Sequence, residues 1–242
     1  MLLTALLILP AAAPNTFAAD EQARHSANTL ATRDDDLWWK ERHEGFNHRA
    51  AMGNVDLVFI GDSITQSWEN EGKTAWDKHY GQGKAMNLGI SGDRTQHVLW
   101  RLEHGNVECI APKVAVIMIG TNNSNASDNT AAQIADGIQA IVGRLREKTP
   151  TTKILILGVF PRGERPNPQR EKISDVNSRI AKLADDKQVY YLDIGDKFLS
   201  ADSSISKEVM PDFLHLSPRG YEIWAEAIEL KVAALLNGTS AQ

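Results

Sequence analysis

Apolar residues gather in five short runs, at 55–61, 84–90, 113–120, 153–160 and 188–194. Each is rich in Val, Ile or Leu and alternates little, the pattern of strands covered on both faces. The fifth run is the weakest. Between the later runs the period changes to that of a helix. Ile134, Ile138, Ile141, Val142 and Leu145 share one helical face, as do Ile173, Val176, Ile180 and Leu183. A last helix opens at Ser217-Pro218, an N-cap with proline behind it, and carries Tyr221, Trp224, Ile228, Val232 and Leu235. An earlier helix follows Asp34-Asp35-Asp36, runs to about Ala51 and stops near Gly53. Strands alternating with helices predict an α/β fold, a parallel sheet of about five strands with helices on both sides.

The chain has 242 residues, 42% of them hydrophobic, enough for one sizeable core. Its formal charge of −5 argues against a nucleic-acid partner, which needs a basic surface. A single cysteine, Cys109, excludes an intramolecular disulfide and a cysteine-rich zinc site, and is expected to be a small buried apolar residue. No H-E-x-x-H or calcium-loop spacing occurs, so no metal is expected. The first charged side chain is Asp20. The apolar run at 2–13 has the length of a signal-peptide core and is too short to span a bilayer. The expected organisation is a leader over 1–19, an extension with a helix over 20–54, one domain over 55–236, and a frayed tail over 237–242. An exported protein without a membrane span is therefore expected.

In an open α/β sheet, ligands sit beyond the carboxyl ends of the strands. Beyond the first run lies Gly61-Asp62-Ser63-Ile64-Thr65. It matches no G-x-G-x-x-G, P-loop or G-x-S-x-G pattern. What remains is a serine at a tight strand-to-helix turn, either a nucleophile or part of a helix cap. The second run leads to Ser91-Gly92-Asp93, where a glycine N–H can face an oxyanion or simply make a turn. Beyond the third lies Gly120-Thr121-Asn122-Asn123, where an Asn carboxamide can donate to developing negative charge or form an Asx-turn. Late in the chain Asp212 and His215 stand three apart, just before a helix. That spacing can bring a carboxylate to one imidazole nitrogen and leave the other for a serine. Ser91 is a rival nucleophile with no base assigned to it. His97 and His104 are minor rivals to His215.

The four segments occur in the order of the four blocks of the SGNH (GDSL) hydrolases. The chain resembles that family from about Val55 to Leu236. Within it, 87–123, Pro161-Arg162-Gly163-Glu164-Arg165-Pro166-Asn167-Pro168 and Asp212-Phe213-Leu214-His215-Leu216 look like the catalytic subunits of type Ib platelet-activating factor acetylhydrolase. The resemblance implies a three-layer α/β/α sandwich with a flavodoxin-like sheet. It implies Ser63 as nucleophile, His215 as base and then acid, and Asp212 as its support. The N–H groups of Ser63 and Gly92 and the Asn122 side chain would form the oxyanion hole. Ile64, Thr121 and Leu214 would bound a small acyl pocket. Asn123 stands where many members carry Asp, as it does in the type Ib enzymes.

The implied activity is a cofactor-free serine esterase that removes a short acyl group, acetyl first. The substrate would be an acetylated carbohydrate or a platelet-activating-factor-like lipid, with the exported reading favouring the former. Trp38, Trp39 and Trp68 could stack on sugar rings, although packing in the core or on the surface is the expected role. The type Ib enzymes form catalytic dimers, which implies a possible homodimer. The alternative is an inactive carbohydrate- or partner-binding module on the same fold. A flavin or nucleotide binder is disfavoured by the lack of a phosphate-cradling loop.

Overall fold

A computed structural model describes residues 23–81, 84–125 and 127–238. The expected leader at 1–19 lies outside them. Five parallel strands form one sheet, β1 (Leu57–Gly61), β2 (Ala85–Gly89), β3 (Val114–Met118), β4 (Lys153–Leu157) and β5 (Val189–Leu192). Each lies inside one of the five apolar runs. The order β2-β1-β3-β4-β5 is the flavodoxin-like arrangement. Gly61 pairs with Gly89 on one side and Met118 on the other, so three strands end at one level.

Alternation sorts the side chains between two cores. Val58, Ile60, Ala115, Ile117, Ile154 and Ile156 face one layer. There they meet α1 (Leu37–Ala51), α4 (Thr95–Glu103), α5 (Ala131–Lys148) and α6 (Pro168–Ile180). Leu57, Phe59, Val114, Val116, Leu155 and Leu157 face the other layer. It is built from α2 (Ser63–Gln66), α3 (Lys73–His79) and α7 (Pro218–Asn237). The result is the expected three-layer α/β/α sandwich. Among the described residues no helix is long and apolar enough to cross a membrane.

The helix ends follow their sequence signals. Asp36 caps α1 by accepting from Trp39 N, and Ser217 caps α7 by accepting from Gly220 N. The helix α7 runs to Asn237, one residue into the expected tail, and closes on Gly238. One expectation is corrected and one open alternative is settled. Cys109 is exposed, because it lies on the turn between α4 and β3 while its neighbours Val107 and Ile110 supply the burial. Trp39 and Trp68 are 0% and 1% exposed, so neither can stack on a sugar. Trp68 packs against Phe59, Tyr221 and Trp224, and the Trp39 indole is spent on a buried carboxylate. Trp38 alone of the three stays open, at 46% exposure.

The segment before α1 is not a loose extension. Ala27 is fully buried, and its carbonyl accepts from Thr95 Oγ1 at 2.7 Å. Asn129 Nδ2 donates to Ser26 Oγ, and Ala31 N to the Gln96 carbonyl. The segment crosses the start of α4 and arrives beside the turn that follows β2.

Candidate active site

The crevice forms where β1 lies between β2 and β3, the topological switch point of this strand order. The chain turns sharply beyond β1. A Cβ on Gly61 would lie 2.1 Å from Thr65 Oγ1 and 2.4 Å from the Met118 carbonyl, so only glycine fits. Asp62 caps α2, its Oδ1 accepting from Ile64 N at 3.1 Å. Ser63 therefore opens the helix with its N–H unused by the helix ladder. The Ile64 carbonyl accepts from the buried Tyr221 hydroxyl at 2.6 Å, which fixes this turn from behind.

Ser63 Oγ lies 3.0 Å from His215 Nε2, and His215 Nδ1 lies 2.6 Å from Asp212 Oδ2. Asp212 Oδ1 accepts from the backbone N–H groups of Leu214 and His215 at 3.0 and 2.7 Å. The spacing of three thus closes a small ring that aims the imidazole. Phe213, inside it, takes a φ of +61°, and its carbonyl accepts from Gly163 N at 2.7 Å. Burial alone would raise the Asp212 carboxyl, but the imidazole and the two N–H donors outweigh it and hold the group below the usual carboxylate range. Asp62 is pushed the other way, to about 7. Its complete burial dominates, against the Ile64 N–H bond, and its Oδ2 has no hydrogen-bond partner among the described residues.

On the opposite wall, Ile90 and Asp93 close a turn, and Gly92 takes the φ of +78° that the turn needs. Three groups hold this turn. Gln66 Oε1 accepts from Ser91 N at 2.7 Å, Arg33 Nη1 donates to the Ser91 carbonyl at 2.6 Å, and Asn122 Nδ2 donates to the Asp93 carbonyl at 2.9 Å. Asp93 is wholly buried. Its carboxylate accepts from Trp39 Nε1 at 2.7 Å and Arg101 Nε at 2.9 Å, with Arg33 Nη1 at 3.6 Å. Asn123 is buried beside it. Its Oδ1 accepts from Thr95 N, and its two Nδ2 hydrogens are shared among Thr95 Oγ1, Gln96 Oε1 and Asn129 Oδ1. An aspartate could not make those donations, which explains asparagine at this position.

The structure thus brings Ser63, His215 and Asp212 into one hydrogen-bonded chain, with Gly92 and Asn122 tied to each other through Asp93. A serine, a base and an acid so joined can deliver an activated alkoxide to a carbonyl. Of the residues expected to bound an acyl pocket, Ile64 and Thr121 are each 1% exposed, Ile64 packing into the core below Ser63, and Leu214 is half-buried. The rivals fall away. His97 Nδ1 accepts from Arg94 N, His104 stacks on Trp100, and Ser91 has no histidine within hydrogen-bond distance among the described residues. Three contributors escape sequence reading, namely Arg33, Gln66 and the Asp93–Arg101 pair. Their partners are distant in sequence and their spacing carries no motif.

Such a constellation on such a sheet fits the class of carboxylic ester hydrolases. Residues 59–223 match the GDSL-like lipase/acylhydrolase family, and the chain belongs to it. It is similar to the alpha1 subunit of platelet-activating factor acetylhydrolase IB from Homo sapiens, at 40% identity over 82% of this chain and 84% of that one. Two solved structures share the fold. A GDSL-like lipase from Bacteroides thetaiotaomicron has a TM-score of 0.63 at 19% identity, covering 80% of this chain and 96% of that one. A carbohydrate acetylesterase from Sinorhizobium meliloti has a TM-score of 0.59 at 23% identity, covering 75% and 99%.

Proposed function

We propose that the protein is a two-step serine esterase that removes short acyl groups, acetyl first. The observation that carries this reading is the Ser63–His215–Asp212 chain, with contacts of 3.0 and 2.6 Å, at the carboxyl end of the sheet. Ser63 Oγ attacks the ester carbonyl while His215 Nε2 takes its proton. Asp212 holds His215 Nδ1–H and stabilises the imidazolium that forms. The oxyanion lies against the N–H groups of Ser63 and Gly92 and the second hydrogen of Asn122 Nδ2. The first hydrogen is spent on the Asp93 carbonyl, which fixes the direction of the second. His215 then returns its proton to the leaving alcohol, and water repeats the route on the acyl-enzyme.

The acetyl preference draws on the similarity to an acetylhydrolase subunit. The apolar segment at 2–13 supports an exported protein and hence an extracellular acetate, such as an acetylated carbohydrate, ahead of a lipid ester. A homodimer is part of the same reading and is checked by light scattering. The test of the chemistry is turnover of p-nitrophenyl acetate. Ser63→Ala and His215→Ala are each expected to lose at least about 10⁴-fold in kcat with an unchanged circular dichroism spectrum. Ser63 should also be the one residue labelled by an organophosphonate. Near-normal turnover in Ser63→Ala would sink the reading.

A further inference from the structure

One charged side chain in the crevice is used by no step of this hydrolysis. Arg162 follows β4, and its Nη1 donates to the carbonyl and Oγ1 of Thr121, both at 3.3 Å. Among the described residues Nε and Nη2 have no hydrogen-bond partner, and no carboxylate lies within ion-pair distance. Burial draws its pKa down, while the more distant carboxylates of Asp62 and Asp212 hold it up. The backbone here is rigid. The Arg162 carbonyl accepts from Asn167 Nδ2 and Arg170 Nε at 3.1 and 3.0 Å, and Gly163 N binds the Phe213 carbonyl. The loop backbone is thus held in place, and Nε and Nη2 of the guanidinium are left uncommitted among the described residues.

A half-buried guanidinium has given up part of its hydration, and two long bonds from one nitrogen return little of it. Its planar fork matches the two oxygens of a carboxylate or phosphate. Lys207 supplies a second cation nearby, its ammonium 5.7 Å from the Phe213 ring and without a carboxylate partner among the described residues. Two positive charges therefore flank the Asp212–His215 segment in a chain of net charge −5. The direction matters as well. His215 protonates the leaving alcohol, so the alcohol lies along this same segment. An acetyl group carries no charge to bind.

We propose that Arg162 is a substrate-recognition residue that binds an anionic oxygen group, a carboxylate or a phosphate, on the alcohol part of the ester. The inference rests on the esterase reading and adds the charge of its substrate. The experiment uses the full chain and three matched acetates, of methyl glucoside, of methyl glucuronide and of methyl glucoside 6-phosphate. At least one anionic acetate is expected to show about tenfold higher kcat/KM than the neutral one. Preference for the glucuronide or for the phosphate tells the two sources apart. Arg162→Gln should bring the ratio to about one, chiefly through KM, with Arg162→Lys between. Arg165→Gln, at a guanidinium 70% exposed, should leave the ratio as it was. Competition reads the same point without a variant, since glucuronate or glucose 6-phosphate should inhibit p-nitrophenyl acetate hydrolysis more tightly than glucose. Equal turnover of all three acetates overturns the inference and leaves the esterase reading standing. So does an Arg162→Gln that slows every acetate by one factor, for Arg162 would then only screen Asp212. If no acetate is hydrolysed at all, both fall.

Discussion

The two walls of the crevice are built on opposite principles. The wall with Asp212 and His215 is a short exposed loop, with side chains 55% and 41% exposed, closed by hydrogen bonds inside four residues. The wall with Ser91, Gly92 and Asp93 is anchored in the interior. Its Asp93 and Arg101 are 0% and 1% exposed, and its supports come from Arg33, Trp39, Gln66 and Asn122, all remote in sequence. The division suits the chemistry. A base must exchange protons and meet a leaving group, so it needs access. An oxyanion hole acts only if its dipoles are fixed before charge develops, so it needs rigidity.

Changes on the two walls should therefore fail in different ways. Asp212→Asn leaves an exposed loop intact and removes the charge that stabilises the imidazolium. A kcat loss of about 10³–10⁴-fold is expected, with stability within about 1 kcal/mol of the parent. Asp93→Ala leaves Arg101 buried with its charge unpaired, and a loss of about 3–5 kcal/mol in urea unfolding is expected. If Asp93→Ala unfolds like the parent, or Asp212→Asn is strongly destabilised, the contrast between the walls is wrong.

The same contrast governs what could be read from sequence. The five strands, the two long amphipathic helices and α7 follow from local periodicity, so they were legible to within a few residues. The exposed wall was legible too, because Asp212 and His215 interact at a spacing of three. The buried wall was legible only in its glycine and asparagine. Asp93 draws on Trp39 and Arg101, and Ser91 on Arg33 and Gln66, and nothing local marks those pairings. Trp39 and Trp68 could be assigned to the core rather than to a sugar platform only once the fold was in place. An aromatic ring reads the same on a surface as in a core until the opposing layer is in place. Cys109 departs from its expectation, since its turn exposes it while its apolar neighbours turn inward.

Two carboxylates near Ser63 carry opposite signs in pH. Asp212 is held below its unfolded value of 3.8, so its stabilising contribution is present above that pH and is lost as pH falls through the folded value. Asp62 is raised from 3.8 to about 7, so the folded state holds a proton that the unfolded state releases. Its effect on stability is an increasing penalty as pH climbs from about 4 to about 7, and a constant one beyond. Asp62→Asn removes this titration and keeps an oxygen for the Ile64 N–H. Thermal unfolding across that range should show the variant gaining on the parent steadily from pH 4 to pH 7. Parallel curves would mean that Asp62 is ionised throughout and that another group compensates its burial.

The smallest effect should come from the side chain that joins the buried wall to the N-terminal segment. Arg33 lies outside the stretch 59–223 that matches the family, yet its Nη1 holds the Ser91 carbonyl and would sit 3.3 Å from a Cβ on Gly92. It also bonds Asp36, the cap of α1, so one guanidinium links the start of a helix to the turn that carries Gly92. Arg33→Gln removes the charge-assisted bonds to the Ser91 carbonyl and to Asp36 at a side chain still 26% exposed, while Gln66 and Asn122 keep their grip. A loss of about threefold to tenfold in kcat is expected on a neutral acetate. KM should stay nearly constant if, as proposed, the Gly92 N–H acts on charge that exists only in the transition state. Arg33→Lys keeps the charge without the fork and should recover part of the loss. A merely structural role would instead lower the melting temperature and leave kcat of the folded protein untouched. That outcome would place the whole rigidity of the oxyanion wall in Asp93 and its buried partners.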